Sequence, residues 1–310
     1  MGNHVVDQVQ LYSLLGAIKP RDVLSDAKRF FKADAPKADF KPIDKVFLLV
    51  KRLYDGRMPG YLACAVQYHD YSHSVSVFGA VSRLLDGCHL AGIGLEAQFD
   101  LETLIAALAH DAGYIREETD PSGTGAQYTK VHVLRSAAFA RREAVSLGLE
   151  PESAERVARM ILATDIALPW SQFDFGSEDE RRGAEILASA DLLGQMSDRA
   201  YLEKLLFLYY EFREAGIGGY DSAFDILKKT AGFYESTKAR LDGPLGEVSR
   251  KSREHFATRY GVDKDLYREA IERQMAYLEG ILADDSTNFR KKLKRLDIEA
   301  IEKNREKARI

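Results

Sequence analysis

Cysteine is nearly missing from this chain: Cys64 and Cys88 are the only two in 310 residues. Two thiols are too few for a disulfide framework or a thiolate zinc site, so both are expected to be small core residues in a reducing compartment. Excess charge of one sign is missing too. With 44 basic and 48 acidic side chains the formal net charge is −4, and the isoelectric point near 6.0 leaves no basic field for nucleic acid. No window approaches the roughly 18 apolar residues of a membrane span. The first thirty residues hold no basic segment followed by an apolar run. A cytoplasmic protein with neither nucleic-acid nor membrane partners is expected. Internal repeats, low-complexity tracts and sustained two-residue alternation rich in β-branched side chains are also lacking.

What the chain does have is apolar residues recurring at spacings of three and four, and an apolar share of 45%. An all-α fold follows: one compact multi-helix bundle, long enough to bury a real core. The stretch Leu101 to Ala109 is apolar nearly all round, which predicts a helix buried on every side. Ser153 to Thr164 sets Val157, Met160, Ile161 and Thr164 on one stripe with arginines opposite, and Gly183 to Met196 and Asp265 to Leu282 repeat the amphipathic pattern. Breaks are predicted at Gly113 to Thr129, Pro169 to Asp179 and Gly216 to Tyr220, where Gly, Pro, Ser and Asp gather. The organisation expected is an N-terminal helical segment, 1–66, packed on a core at 67–285, then a charged helix at 286–310. That last stretch carries nine Lys/Arg against four Asp/Glu and is expected to dock along one edge or against a second subunit of a homodimer.

Seven histidines are few, yet two of them, His69 and His73, stand four apart in YHDYSHSVSV. On a helix that spacing gives them one face and one site. A half-exposed pair at a helix start would look the same. His110 and Asp111 end the buried Leu101–Ala109 stretch, where an ionised carboxylate needs a cationic partner, and a metal ion is a compact one. Asp191 is an acid on the apolar side of another helix, beside Ile186, Leu187 and Leu193. Together His73, His110, Asp111 and Asp191 form a set of two nitrogens and two oxygens suited to a divalent transition metal.

In this order, His73, then His110-Asp111, then Asp191, the residues resemble the H…HD…D signature of the HD-domain metal-dependent phosphohydrolases. YHDYSHSVSV is similar to the YHNxxHAxxV opening of the class I cyclic-nucleotide phosphodiesterase catalytic domain. ILATDI (Ile161 to Ile166) resembles that family's ILATDM segment, SADLL falls at its last-ligand position, and YYEF (Tyr209 to Phe212) resembles its following helix. The likeness spans about Gln67 to Phe212. It departs from the family at HDAGY, where Tyr114 stands in place of a further His, and in the following loop, which lacks the usual Gly-Thr-Asn-Asn pattern.

The resemblance implies hydrolysis of a nucleotide phosphodiester, a 3′,5′-cyclic nucleotide giving the 5′-monophosphate. It implies two divalent ions, drawn from Mg, Mn, Fe or Zn, with His73, His110, Asp111 and Asp191 on the first and Asp111 bridging to the second. His69 is then the general acid. His132 is a nitrogen donor near the second ion or an ordinary helix histidine, and Thr164 and Asp165 orient water or simply end their helix. Gln274 and Tyr277, in RQMAYLEGIL, resemble the family's purine clamp, although a Gln on an apolar stripe is the commoner arrangement. Two alternatives remain: an HD hydrolase of a nucleoside mono- or triphosphate or a guanosine polyphosphate, and a module that binds nucleotide without turnover.

Overall fold

The computed structural model describes residues 9–17, 19–284 and 288–298, and among them every regular element is a helix. The one extended pairing among these residues is an isolated antiparallel bridge between Tyr61 and Glu117. Helices α1 (Leu11–Leu15), α2 (Pro20–Asp34) and α3 (Lys41–Tyr54) precede α4 (Tyr71–Leu90) and α5 (Ala97–Ala109). After a long loop come α6 (His132–Arg142), α7 (Ala144–Leu147) and α8 (Pro151–Leu162). The rest of the bundle is α9 (Glu178–Met196), α10 (Tyr201–Glu214), α11 (Ala223–Asp242), α12 (Gly246–Ser249), α13 (Ser252–Tyr260) and α14 (Leu266–Ala283).

Local chemistry sets the helix starts. Proline sits in the first turn of α2, α3 and α8, where its missing N–H costs nothing. The carboxylates of Asp70 and Asp265 and the hydroxyl of Ser177 accept from backbone N–H groups at the starts of α4, α14 and α9. Packing then joins α4, α5 and α9 into a central trio. Leu84, Leu104, Leu108, Ile186, Leu187 and Leu193 are at most 1% exposed. Burying each withdraws apolar surface worth about 1.5–3 kcal/mol, which makes the trio a rigid frame. Gly183 permits the close approach of α9 to α5, since a Cβ there would come 2.6 Å from Thr103 Oγ1.

Around the trio, α2 packs on α4, α3 on α5, α13 on α4, and α6 and α8 on each other and on α5. Of the charged helix expected at 286–310, residues 288–298 supply a 3₁₀ turn at Phe289–Lys291 and the buried side chains of Leu293 and Ile298. The remainder of that segment lies outside the described residues. No helix among the described residues is long and apolar enough to cross a membrane. Both thiols are free, Cys88 buried and Cys64 partly so, and burial pushes each up to about 12, well away from reactivity.

Candidate metal centre

The central trio brings the predicted donors together. Asp70 accepts from the His73 backbone N–H at 3.0 Å and so starts α4, which fixes His73 in the first turn. His69 consequently lies ahead of the helix, not on one face with His73 as the four-residue spacing predicts. Satisfying the free N–H groups at the helix start decided the boundary. The two rings still meet, with centroids 5.7 Å apart and planes at 88°. At the end of α5, His110 Nδ1 lies 2.8 Å from the Ala107 carbonyl oxygen, so Nδ1 carries the hydrogen and Nε2 faces the site.

His73 Nε2, His110 Nε2 and Asp111 Oδ2 lie 3.3 Å from one another. Asp191 Oδ1 adds contacts of 3.3 Å to His73 Nε2 and 3.6 Å to His110 Nε2. Bonds of about 2.0–2.2 Å at angles between right and tetrahedral put neighbouring donors about 2.8–3.6 Å apart around one ion. Asp111 Oδ2 is buried and accepts no hydrogen bond. An orphaned carboxylate oxygen beside two imidazole lone pairs is the donor set of a cation site, and the buried His73, His110 and Asp111 group can hold a metal ion.

Electrostatics agree. Burial alone would push the His73 imidazole down, but Asp111 and Asp191 carry it up to about 9, and His110 rises well above its ordinary value against the same opposition. Burial would raise Asp111 and Asp191, yet His110 and His73 hold both below the usual carboxylate range. Four buried groups thus favour two positive charges between them, and protons serve when no ion does. A raised imidazole contributes stability below its ordinary 6.5 that is lost as pH climbs through about 9. The depressed carboxylates contribute above their ordinary 3.8 and lose it on acidification. Chelator-treated protein is therefore expected to melt progressively lower from about pH 6.5 to pH 9, and a saturating divalent ion, which needs deprotonated ligands, removes that loss. Scanning calorimetry across this range checks it. Identical profiles with and without ion would show that no cation replaces these protons.

Asp111 faces two ways. Its Oδ1 lies 3.7 Å from His132 Nε2, while His132 Nδ1 lies 2.6 Å from the Thr129 carbonyl oxygen, leaving the Nε2 lone pair toward the carboxylate. Burial pushes His132 down, which keeps it a neutral donor. Gly113 makes the approach of α6 possible, because a Cβ there would sit 2.1 Å from the His132 carbonyl oxygen. Tyr114 is buried, its ring 4.3 Å from His69 with planes at 10° and 4.5 Å from His132 with planes at 25°; the two imidazoles are themselves 6.0 Å apart, so the three rings form a cluster.

A buried acid absent from the sequence expectations anchors His69. Glu211 Oε2 lies 2.7 Å from His69 Nδ1, and its Oε1 accepts the backbone N–H groups of Gln67 (3.0 Å) and Tyr68 (2.7 Å). The signal was present in LLFLYYEF, an acid within an apolar and aromatic run, the same oddity that singles out Asp191.

A family model described as Npun_R2479-like matches residues 118–241. The matched span takes in His132, Asp191 and Glu211 but leaves out His73, His110 and Asp111. No curated protein matches the chain.

A cavity of about 490 Å³ opens over this cluster. Asp111, Asp191, His69 and His132 line its floor, Leu205, Leu208, Phe212, Ile226 and Phe233 of α10 and α11 form an apolar wall, and Lys130 and Lys229 stand among its lining groups. Thr164 and Asp165 also line it, but their hydrogen bonds are local: Thr164 Oγ1 donates to Ile161 O and Asp165 accepts from Ala167 N. Both read as a helix end. Gln274 and Tyr277 do not reach the cavity, which corrects the purine-clamp expectation. Gln274 is buried, donating to the carbonyls of Asp198 and Arg199 and accepting from Arg295, while the Tyr277 hydroxyl donates to Lys292 O.

Proposed function

We propose that the protein is a metal-dependent phosphohydrolase that cleaves a nucleotide phosphodiester, with a 3′,5′-cyclic nucleotide opened to its 5′-monophosphate. The observation that carries this reading is the buried donor set: four side chains from α4, the turn after α5 and α9, with an orphaned carboxylate oxygen, two of them, Asp111 and Asp191, lining a cavity large enough for a nucleotide. His73, His110, Asp111 and Asp191 would hold one divalent ion, and Asp111 Oδ1 with His132 Nε2 would offer donors to a second. Such ions supply Lewis acidity, which makes water acidic enough to attack at neutral pH and draws charge from phosphoryl oxygens.

The chain's own residues do the rest. His69 gives a proton to the departing 3′-oxygen, with Glu211 fixing its Nδ1 hydrogen and Tyr114 fixing its plane. The wall of α10 and α11 receives the base without a Gln clamp. Tyr114 at the position of the family's histidine favours a second reading in which the same centre acts on a nucleoside mono- or triphosphate or a guanosine polyphosphate. A nucleotide-binding module without turnover is the third reading, and an ion-free protein would be its mark.

A panel of cyclic and linear nucleotides with Mn²⁺, Mg²⁺ or Fe²⁺ tests the assignment. Turnover of a cyclic nucleotide to the 5′-monophosphate is expected, abolished in His110→Ala. Release of phosphate or pyrophosphate from linear nucleotides alone would move the protein to the second reading, and absence of both bound metal and turnover to the third.

A further inference from the structure

A second cavity, of about 600 Å³, lies on another side of α4, enclosed by α1, the start of α2, the loop after α9 and the segment around Leu296. Leu11, Leu15, Val75 and Leu296 give it an apolar lining. Its charge is lopsided. Six basic side chains line it against three acidic ones; one of the six, Lys204, is paired with Asp198 at 2.5 Å, and Asp26 is paired at 2.9 Å with Arg29, which is not in the lining. In a chain with a formal charge of −4, such a concentration of cations focuses positive potential into an enclosed space.

Arg83 is the decisive group. It is 6% exposed and lines the cavity. Its Nη1 donates to the Tyr267 hydroxyl at 3.0 Å, its Nε has no hydrogen-bond partner, and no carboxylate pairs with it among the described residues. A buried guanidinium without a counter-charge is costly, and a planar fork of donors suits an oxyanion. Gly79, one turn earlier, keeps the space open: a Cβ there would come 3.0 Å from both Arg83 Nη1 and Val23 Cγ1.

We infer that this cavity binds a small amphipathic anion, its phosphate, sulfonate or carboxylate head against Arg83 and its apolar body against Leu11, Leu15 and Leu296. The inference is independent of the metal centre, whose Asp111 and Asp191 line the other cavity and not this one. Arg83 stands ten residues along α4 from His73, about 15 Å by helix rise.

The probe is 1-anilinonaphthalene-8-sulfonate, titrated by fluorescence into the full-length protein, with uncharged N-phenyl-1-naphthylamine as its comparison. Arg83→Met is expected to weaken the sulfonate at least tenfold and leave the uncharged probe unchanged, while Arg83→Lys keeps most of the affinity. Circular dichroism reports whether Arg83→Met folds. If it does not, Leu15→Trp, a partly exposed position at the cavity wall, is expected to weaken the sulfonate at least tenfold in a folded protein. Equal sulfonate binding by the wild type and the folded variants, or equal affinity for both probes in the wild type, overturns the inference, as does a cavity filled by the chain's own terminal segments.

Discussion

Asp111→Asn is expected to lose bound metal and to hydrolyse a phosphodiester at least about 10³-fold more slowly, a loss of about 4 kcal/mol of transition-state stabilisation. The substitution keeps the volume of a fully enclosed side chain and removes its charge. Asp111 Oδ2 is the oxygen that touches both imidazoles at 3.3 Å, and Oδ1 is the one that reaches toward His132. Among the described residues no other carboxylate comes within 4.0 Å of His132, so the proposed second site would fail together with the first. Asp165→Asn is the matched control, because Asp165 caps the Ala167 N–H and touches none of the four donors, and a change of no more than several-fold is expected. Metal content by elemental analysis and initial rates decide the matter. A metal-replete Asp111→Asn protein with normal turnover would sink the assignment of this carboxylate.

His69→Asn is expected to slow cyclic-nucleotide hydrolysis by about 10²–10⁴-fold while leaving metal content unchanged. His69 is not among the convergent donors around Asp111 Oδ2, and its held nitrogen is turned to Glu211. The diagnostic lies in the leaving group. An alkoxide needs a proton as the bond to phosphorus breaks, whereas p-nitrophenolate leaves without one, so bis(p-nitrophenyl) phosphate is expected to be hydrolysed almost normally by the variant. Glu211→Gln keeps shape but loses the charge that orients the imidazole, and a loss of about 10–100-fold on the cyclic substrate is expected, again with metal retained. Equal losses on both substrates would show that His69 positions substrate or metal and gives no proton.

The helices that carry the site were legible because their apolar stripes are long. Leu101 to Ala109 reads as buried on all sides, and in α5 every residue from Glu102 to Ala109 is buried, while the stripe through Val157 and Ile161 becomes α8. The donors were legible for a related reason: Asp111 and Asp191 are charges in apolar surroundings, which a sequence displays without any coordinates. Glu211 carried the same signal but went unread, because a single acid in an aromatic run names no partner. Tyr114 showed only as a departure from a motif, and nothing in the chain announces that its ring meets those of both His69 and His132. The His69–His73 spacing misled, since periodicity extends a helix backward past the aspartate that starts it. Gln274 and Tyr277 misled in another way, for residues on a helix segment can match a pattern while the helix itself faces a different neighbour.

By itself the sequence determined an all-helical bundle and its buried ionisable groups, because helix formation and burial are governed by residues within a few turns of one another. Only the tertiary structure decided which charges meet, which carboxylate holds His69, and which cavity Arg83 lines. Those outcomes depend on the approach of α9 to α5 at Gly183 and of α6 to the His-Asp turn at Gly113, contacts between residues too far apart in the chain for any local pattern to encode.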